Sequence, residues 1–468
     1  MLAIKAPNEK TVNLVLAVFI SLIFGVTIIQ YDIKAVAFLA VGFFAIIFFT
    51  RIQYAFYFIL ASRGIVDIFY SVETTGSFKV TQYLAVVVTL FFLWYIVFSD
   101  LSIIRLGINK IYGTFIALCI LPVFFSQNLM EGFASWLKLL QPILIINVTV
   151  LIVLAMGNKL FKKTADAVCW CTIAAFLVPF VLFIKNYLQG THTVMSGYER
   201  YSTVGAYTNL FSYYLFTVFP VCLFFYSTSA QRSRKLFWLI FMAILLFCIY
   251  KTYTRNVWIG IAVLLFAWNL LRKNFKIILP LMCMFGLIVI LSSDVRDRFG
   301  DLSVILESLN SRGFFGIDPQ LLSGRIGIWQ GNLHYFLYKS TFIEKLLGNG
   351  FDVKVAVSSL NYTQEVIEEH NNYMTLLMNT GICGLFVYCL FIGKLFQESF
   401  KLLRKANDLY AKNLAQVFIS ILFAYVIICF FTHMVWKINY QYYFSTFAGL
   451  IIAANMREEE KRNLSDAG

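Results

Sequence analysis

Long apolar runs recur along almost the whole chain, and short polar segments separate them. Many of the runs contain sixteen or more uncharged residues, and a helix needs about 20 residues to cross a bilayer. Because each run is continuously apolar, the pattern favours helices over the alternating strands of a membrane barrel. We predict about fourteen transmembrane helices, near residues 12–30, 35–50, 54–70, 80–99, 110–128, 139–157, 166–186, 205–227, 236–252, 256–271, 276–293, 371–393, 413–433 and 438–456.

The third of these runs is the least regular, because Arg63 and Asp67 interrupt it. The two residues are four positions apart, so on a helix they would share a face and could neutralise each other inside the bundle. We interpret them as a structural ion pair. If this run does not cross the membrane, the number of transmembrane helices falls to twelve or thirteen.

One polar segment is far longer than the others and divides the chain. The expected fold is an all-α, polytopic membrane helix bundle of about 12–14 transmembrane helices with one large outer loop. Its parts are an N-terminal bundle (1–293), the loop (294–370), C-terminal transmembrane helices (371–456) and a cytoplasmic tail (457–468). Long loops that are not disordered usually carry function.

Within the loop, apolar residues at helical spacing predict a short amphipathic helix lying over the membrane. They are Ile326, Trp329, Leu333 and Phe336. Ser323 could cap the start of this helix and leave Arg325 in its first turn.

Composition and charge agree with a membrane protein. Hydrophobic residues make up 60% of the chain and charged residues only 13%, whereas about a quarter of residues are charged in soluble domains. The net charge of +14 reports orientation: with the N-terminus inside, 22 Lys and Arg fall in cytoplasmic segments, nine in short outer segments and seven in the loop. This is the positive-inside pattern, so we expect cytoplasmic termini, an extracytoplasmic loop and no nucleic-acid partner.

Two outer segments contain arginines that could carry chemistry. Lys251-Thr252-Tyr253-Thr254-Arg255-Asn256 is a short polar break between two apolar runs, which must be held against protein or water, not lipid. Arg255 could bind a ligand there or simply extend to the membrane interface. Arg200 lies in Tyr198-Glu199-Arg200-Tyr201 and could pair with Glu199 or contact lipid headgroups instead.

His370 is the most informative of the four histidines, because it lies where the long loop re-enters the membrane. Imidazole is the side chain best suited to move a proton near neutral pH. A catalytic and a structural role are equally compatible with its position. We interpret His192, His334 and His433 as structural.

Several classes of function lose support from the sequence. A Walker loop, a G-x-G-x-x-G turn, an H-E-x-x-H helix and a G-x-S-x-G elbow are absent, which argues against ATPases, dinucleotide enzymes and common hydrolases. The nine cysteines show no repeated metal-ligand spacing, so we predict neither a structural metal nor a disulfide.

The order of several short motifs resembles the bacterial O-antigen ligase and O-antigen polymerase superfamily. Gly324-Arg325-Ile326-Gly327-Ile328-Trp329 is similar to its G-R-x-x-x-W opening, followed by Gly348-Asn349-Gly350 and then His370-Asn371-Asn372-Tyr373 with Leu376, Gly381, Gly384 and Leu385. Thr254-Arg255-Asn256 resembles the Ser-Arg-Gly element of the superfamily. Arg200 with Gly205 and Asn209 resembles its Arg and Asn-Pro-Asn region without the proline.

The resemblance implies a glycosyltransferase of the bacterial inner (cytoplasmic) membrane that moves glycan from undecaprenyl diphosphate to a sugar hydroxyl at the outer face. His370, Arg255 and Arg325 would be catalytic, and Arg200, Arg255 and Arg325 would bind the diphosphate. No metal or cofactor is expected. The expected partners are the lipid-linked glycan donor, the sugar acceptor and the bilayer, with a chain-length regulator and a flippase as further candidates.

Three functions remain open at this point. The leading hypothesis is a polymerase for O-antigen, capsule or exopolysaccharide. A ligase that joins O-antigen to lipid A core would share the motifs and the chemistry. A transporter or flippase for lipid-linked oligosaccharide belongs to another class, and the one-sided loop and the lack of a repeat argue against it.

Overall fold

The computed structural model describes residues 51–68, 80–157, 160–195, 198–201, 208–273, 304–321, 324–351 and 370–466. The predicted helices near 12–30, 35–50 and 276–293 lie outside these residues. The chain divides into two compact units, Met1–Ala61 and Ser62–Gly468. In the first unit, residues 52–61 are helical; the structure of the second is described below.

The described residues are mainly helical, as the sequence predicted, and include one short hairpin of two antiparallel strands. The α-helices are α1 (Ile52–Ile68), α2 (Val80–Ser99), α3 (Gly107–Leu118), α4 (Ile120–Phe125), α5 (Leu129–Met156), α6 (Phe161–Leu188), α7 (Thr208–Thr228), α8 (Arg232–Thr252), α9 (Arg255–Leu271), α10 (Arg325–His334), α11 (Phe342–Leu347), α12 (Asn372–Lys405), α13 (Leu409–Ile428) and α14 (Ile438–Asp466), and the strands are β1 (Thr193–Met195) and β2 (Tyr198–Arg200).

Seven helices in the described part of the chain are long and apolar enough to cross a membrane, with α3 and α4 counted as one. The chain is therefore a multi-pass membrane protein. Two shorter apolar helices, Ala85–Ser99 and Arg255–Leu271, have similar composition. These findings confirm an all-α membrane bundle.

Some helix boundaries differ from those predicted. The helix expected at 139–157 begins at Leu129, because the Asn128 side chain accepts hydrogen bonds from the backbone N–H groups of Met130 and Glu131 and so caps an earlier start. The helices predicted at 371–393 and 438–456 also continue, to Lys405 and Asp466. Their charged final turns need no lipid, so hydropathy alone could not find these ends.

The predicted ion pair in α1 is present and buried. A guanidinium nitrogen of Arg63 lies 2.6 Å from a carboxylate oxygen of Asp67, and the other oxygen of Asp67 accepts a 2.6 Å hydrogen bond from the hydroxyl of Tyr214. The Arg63 guanidinium also lies over the ring of Tyr442, 5.3 Å from its centroid. These contacts compensate two charges inside the bundle and favour the structural interpretation.

The polar helix α14 lies inside the bundle. Its residues from Asn439 to Asn455 are buried, and it packs along α5. Gly449 allows this packing, because a Cβ there would lie within 3.0 Å of Thr149 and Ile146 in α5. Protein contacts therefore cover a helix whose composition is too polar to face lipid.

Neighbouring helices run antiparallel and bring five helix ends together at one end of the bundle. Short turns join α7 to α8 and α12 to α13, and α9 packs along α13. At one end of that pair, Arg272 hydrogen-bonds to Gln416 at 3.3 Å. At the other end, Gly260 packs on Ile428. The first residues of α7, α9 and α12 therefore share one end with the last residues of α8 and α13, and we call it the site end.

The described part of the long loop is ordered and helical, as predicted. It contains helical residues 304–312, α10 and α11. Ile326 and Phe336 of the predicted apolar stripe are buried, and Trp329 and Leu333 are half-buried. The N-cap position of α10 is Gly324, without a side-chain cap, and the predicted cap Ser323 lies outside the described residues.

Candidate active site

His370 lies where the chain enters α12 at the site end, and its side chain is half-buried. Its φ of 49° is in the left-handed region, which residues other than glycine rarely adopt. Asn371 then caps α12, since its side-chain oxygen accepts hydrogen bonds from the N–H groups of Tyr373 and Met374 at 3.0 and 3.1 Å. This sharp turn fixes the position of the imidazole at the start of the helix.

The segment after α13 packs against the same turn. The N–H of Asn372 donates to the carbonyl of Cys429 at 2.8 Å, and the side-chain oxygen of Asn372 accepts from the N–H of Val435 at 3.0 Å. The ring of the buried His433 stacks on the ring of His370, with 5.8 Å between centroids and 27° between planes. His370 is thus held by residues that follow it by about sixty positions.

Arg255 occupies the first position of α9, at the same end of the bundle. The polar break predicted between the two apolar runs is a tight turn of two residues, Tyr253 and Thr254. Tyr253 has a φ of 50°, so the chain reverses through a left-handed residue here as it does at His370. The Arg255 side chain is half-buried.

The start of α9 is suited to an anion. The N-cap residue of α9, Thr254, makes no side-chain capping bond, and its hydroxyl accepts a 2.8 Å hydrogen bond from Ser212. The side-chain oxygen of Asn256 accepts from the N–H of Val257 at 3.0 Å. The N-terminus of a helix carries the positive end of its dipole and attracts phosphate groups. Arg255 adds a guanidinium that can bind two phosphate oxygens at once.

Side-chain hydrogen bonds connect the start of α9 with the segment beside His370. The amide of Asn256 donates to the hydroxyl of Tyr213 at 3.4 Å, and this hydroxyl also shares a 2.8 Å hydrogen bond with Thr432. Thr432 directly precedes His433, the residue that stacks on His370. The structure therefore brings the surroundings of Arg255 and His370 together.

Arg200 is the last residue of β2, and its side chain lies outside the described part of the structure. The next residue, Tyr201, donates from its N–H to the carbonyl of Lys251 at 3.3 Å. Lys251 lies in the last turn of α8, four residues before Arg255. The hairpin is therefore at the site end, and a role for the Arg200 side chain stays a prediction.

Arg325 is the first residue of α10 and is half-buried. It follows Gly324, whose φ of 79° places this glycine in the left-handed region. Helix α10 contacts α12, which places it beside the helix that begins after His370. The grouping of the Arg325 guanidinium with His370 stays a prediction.

Three glycines allow the backbone of the loop to pack closely against the bundle. A Cβ on Gly348 would lie within 3.0 Å of the backbone of Asn379, and a Cβ on Gly381 within 3.0 Å of the backbone of Leu346. The side chain of Asn349, between the glycines of the G-N-G motif, donates to the carbonyl of Met378 at 3.2 Å. Gly350 packs equally closely against the backbone at residues 125–126. The motif thus allows two pieces of backbone to touch.

In the part of the chain that the structure describes, cysteines and metal-ligating residues add no further centre to this site. Eight of the nine cysteines lie in the described residues and are free thiols there, and Cys283 lies outside them. A search of the described residues finds no group of three or more His, Cys, Asp and Glu that could hold a metal ion. The carboxylates nearest to His370 in sequence, Glu368 and Glu369, lie outside the described residues.

Residues 240–389 match the profile of the O-antigen ligase family. This segment belongs to the O-antigen ligase and polymerase superfamily. It spans 150 of the 468 residues and includes Arg255, Arg325 and His370, whereas Arg200 precedes it. A search of curated proteins found no match. The resemblance inferred from short motifs is confirmed, and the protein is a membrane glycosyltransferase of the O-antigen ligase or polymerase type.

Sequence analysis missed three residues that the structure places beside the candidate site. Tyr213 and Thr432 lie outside the segment that matches the O-antigen ligase family, and His433 was interpreted as structural. All three are buried. Their polar groups within apolar runs were a signal, because such groups are costly in a membrane unless they have partners, but the partners are too distant in sequence to be predicted.

Proposed function

We propose that this protein transfers glycan from a polyprenyl-diphosphate carrier to a sugar hydroxyl, at the outer face of the bacterial cytoplasmic membrane. The carrier proposed is undecaprenyl diphosphate. The leading form of the proposal is a polymerase for a surface polysaccharide such as O-antigen, capsule or exopolysaccharide. The protein would extend one lipid-linked glycan by joining it to another.

The placement of Arg255 and His370 supports this proposal most directly. Arg255 stands at a helix start whose N-cap residue, Thr254, makes no side-chain capping bond, and a diphosphate there would gain both the helix dipole and the guanidinium. His370 is connected to that helix start through Thr432 and Tyr213. An anion site and a proton acceptor at one end of the bundle are the two elements that this transfer requires.

In the proposed reaction, the acceptor hydroxyl attacks the anomeric carbon of the donor sugar. A bond forms between that carbon and the acceptor oxygen, and the bond to the diphosphate oxygen breaks. His370 takes the proton of the hydroxyl as general base. Arg255 stabilises the negative charge that develops on the departing diphosphate, with Arg325 and Arg200 as the further proposed ligands.

Purified protein with lipid-linked donor and acceptor glycans tests the proposal. Wild-type protein should lengthen the glycan without nucleotide, and His370→Ala should lower kcat by about 10²–10⁴-fold, the usual contribution of a general base. His334→Ala is the matched control, because His334 is exposed on α10. Full activity of His370→Ala would refute the general-base role, and loss of activity with a chelator would refute a metal-free reaction.

A ligase is the alternative with the same chemistry, and the matching family carries that name. It would use lipid A core as the acceptor. Deletion in the native cell separates the two functions. Without a polymerase, single repeat units are attached to the acceptor, whereas without a ligase, long polymer accumulates on its carrier.

A flippase for lipid-linked oligosaccharide is the alternative from another class. It would move the donor across the membrane without breaking a glycosidic bond. The transfer assay decides between the classes, because a flippase would leave glycan length unchanged under conditions in which a polymerase or ligase extends its acceptor.

A further inference from the structure

Two consecutive residues of α7 hold the residues on both sides of Arg255. The hydroxyl of Ser212 donates to Thr254 at 2.8 Å, and the hydroxyl of Tyr213 accepts from Asn256 at 3.4 Å. Both Ser212 and Tyr213 are buried, with 0% and 2% of their surface exposed. The backbone that carries Arg255 is therefore fixed from one face by a neighbouring helix.

Tyr213 also reaches the other half of the candidate site. Its hydroxyl shares a 2.8 Å hydrogen bond with Thr432, which is 219 positions later in the chain. The next residue, His433, stacks on His370. One buried phenol thus contacts both the element that carries Arg255 and the segment that supports His370.

We propose that Tyr213 is a positioning residue, which holds the diphosphate-binding Arg255 and the proton acceptor His370 at the separation that glycosyl transfer requires. Ser212 and Thr432 complete this positioning network. The inference rests on the proposed function and assigns no contact with substrate to Tyr213. Its hydroxyl acts through the two elements that it joins.

The physical reason lies in how strongly catalysis depends on geometry. A displacement of about 1 Å between reacting groups can cost about 10²-fold in rate. Arg255 begins α9 two residues after the left-handed Tyr253, and His370 is itself a left-handed residue two positions before α12. Their positions therefore depend on turns that the helices do not fix by themselves. A hydroxyl bonded to both elements restricts their relative movement, and a buried hydrogen bond of this kind is not replaced by water.

Tyr213→Phe is the direct test, since it removes the hydroxyl and keeps the ring. We expect kcat for glycan transfer to fall by about 10–100-fold, while KM for the lipid-linked donor changes by less than about threefold. Tyr388→Phe is the matched control. Tyr388 lies further along α12, and its buried hydroxyl is hydrogen-bonded to that of Tyr425 in α13. Tyr388→Phe removes this hydroxyl and should retain wild-type kcat.

Thr432 supplies a second test through the same hydrogen bond. Thr432→Val removes the hydroxyl at nearly constant shape and should lower kcat as Tyr213→Phe does, whereas Thr432→Ser keeps a hydroxyl and should restore it. In a double-mutant cycle, Tyr213→Phe with Thr432→Val should be no slower than the slower single variant, because Tyr213→Phe already removes the bond that Thr432→Val removes. Independent effects would multiply instead.

The outcomes separate the inference from the proposed function. Normal kcat of Tyr213→Phe alongside inactive His370→Ala would overturn the positioning role only. A rise in KM at constant kcat, or equal losses of kcat and thermal stability in Tyr213→Phe and Tyr388→Phe, would overturn it as well. Absence of glycan transfer by wild-type protein, or full activity of His370→Ala, would refute the proposed function first.

Discussion

Gly381→Ala should disturb the docking of the loop on the bundle. Gly381 interrupts α12 with φ 67° and ψ −172°, a conformation that is essentially restricted to glycine. A Cβ at this position would lie closer than 3.0 Å to backbone atoms of Leu346 and Leu347 in α11. Backbone atoms cannot turn aside as a side chain can, so either α11 or the kink in α12 must move.

Two contributions set the size of the effect. An alanine in this backbone conformation costs about 1–3 kcal/mol, and the overpacking against α11 costs about another 1–3 kcal/mol. Together they predict a loss of about 2–6 kcal/mol. Since about 1.4 kcal/mol corresponds to a tenfold change in an equilibrium, the docked state should become at least tenfold less favourable.

Thermal unfolding in detergent and limited proteolysis measure this change. Gly381→Ala should lower the Tm, and trypsin should cleave after Lys339 and Lys345 faster than in wild-type protein, because both lysines lie on the segment that docks. Gly393→Ala in the same helix is the matched control. A Cβ there meets no atom within 4 Å, so it should stabilise α12 by about 1 kcal/mol. Wild-type Tm and cleavage rates for Gly381→Ala would refute the close-contact argument.

Two further pairs of substitutions, each a test with its control, probe the buried polar groups. Asp67→Asn leaves the buried Arg63 without its carboxylate and should destabilise the protein by about 3–5 kcal/mol in thermal unfolding. Tyr214→Phe removes only the hydroxyl that bonds to Asp67 and should cost about 1 kcal/mol. Equal effects of the two substitutions would contradict the importance of the ion pair. Asn371→Ala removes the cap of α12 and should lower the free energy of unfolding by about 1 kcal/mol, whereas Asn371→Asp should retain most of the stability. A Tm unchanged by Asn371→Ala would show that the cap does not contribute to stability.

The sequence predicted the parts of this fold that depend on local composition. Apolar runs gave most of the described helices, and the spacing of Arg63 and Asp67 gave an ion pair that the structure confirms. Helix ends were less predictable. The cap at Asn128 extends α5, and charged residues extend α12 and α14 beyond their apolar parts, because neither effect appears in average hydropathy.

The candidate site divides in the same way. Motifs within the family segment selected Arg255, Arg325 and His370, since an arginine, a histidine and nearby glycines stand out against a lipid-facing background. The reason why glycines are needed at these positions is found only in the tertiary structure. Gly348 follows α11 and Gly381 lies in α12. The backbone just before Gly381 packs against Gly348, and the backbone just before Gly348 packs against Gly381.

By itself, the sequence determined that this chain is a multi-pass helical membrane protein whose residues 240–389 match the O-antigen ligase family. Hydrophobic burial in lipid and the need for every backbone group to find a partner act on each run of residues separately. Only the tertiary structure decided that Tyr213 connects the start of α9 with the segment beside His370. Tyr213 and Thr432 are 219 positions apart in the sequence. A hydrogen bond between residues so distant in sequence depends on how the helices pack, and no local pattern contains that information.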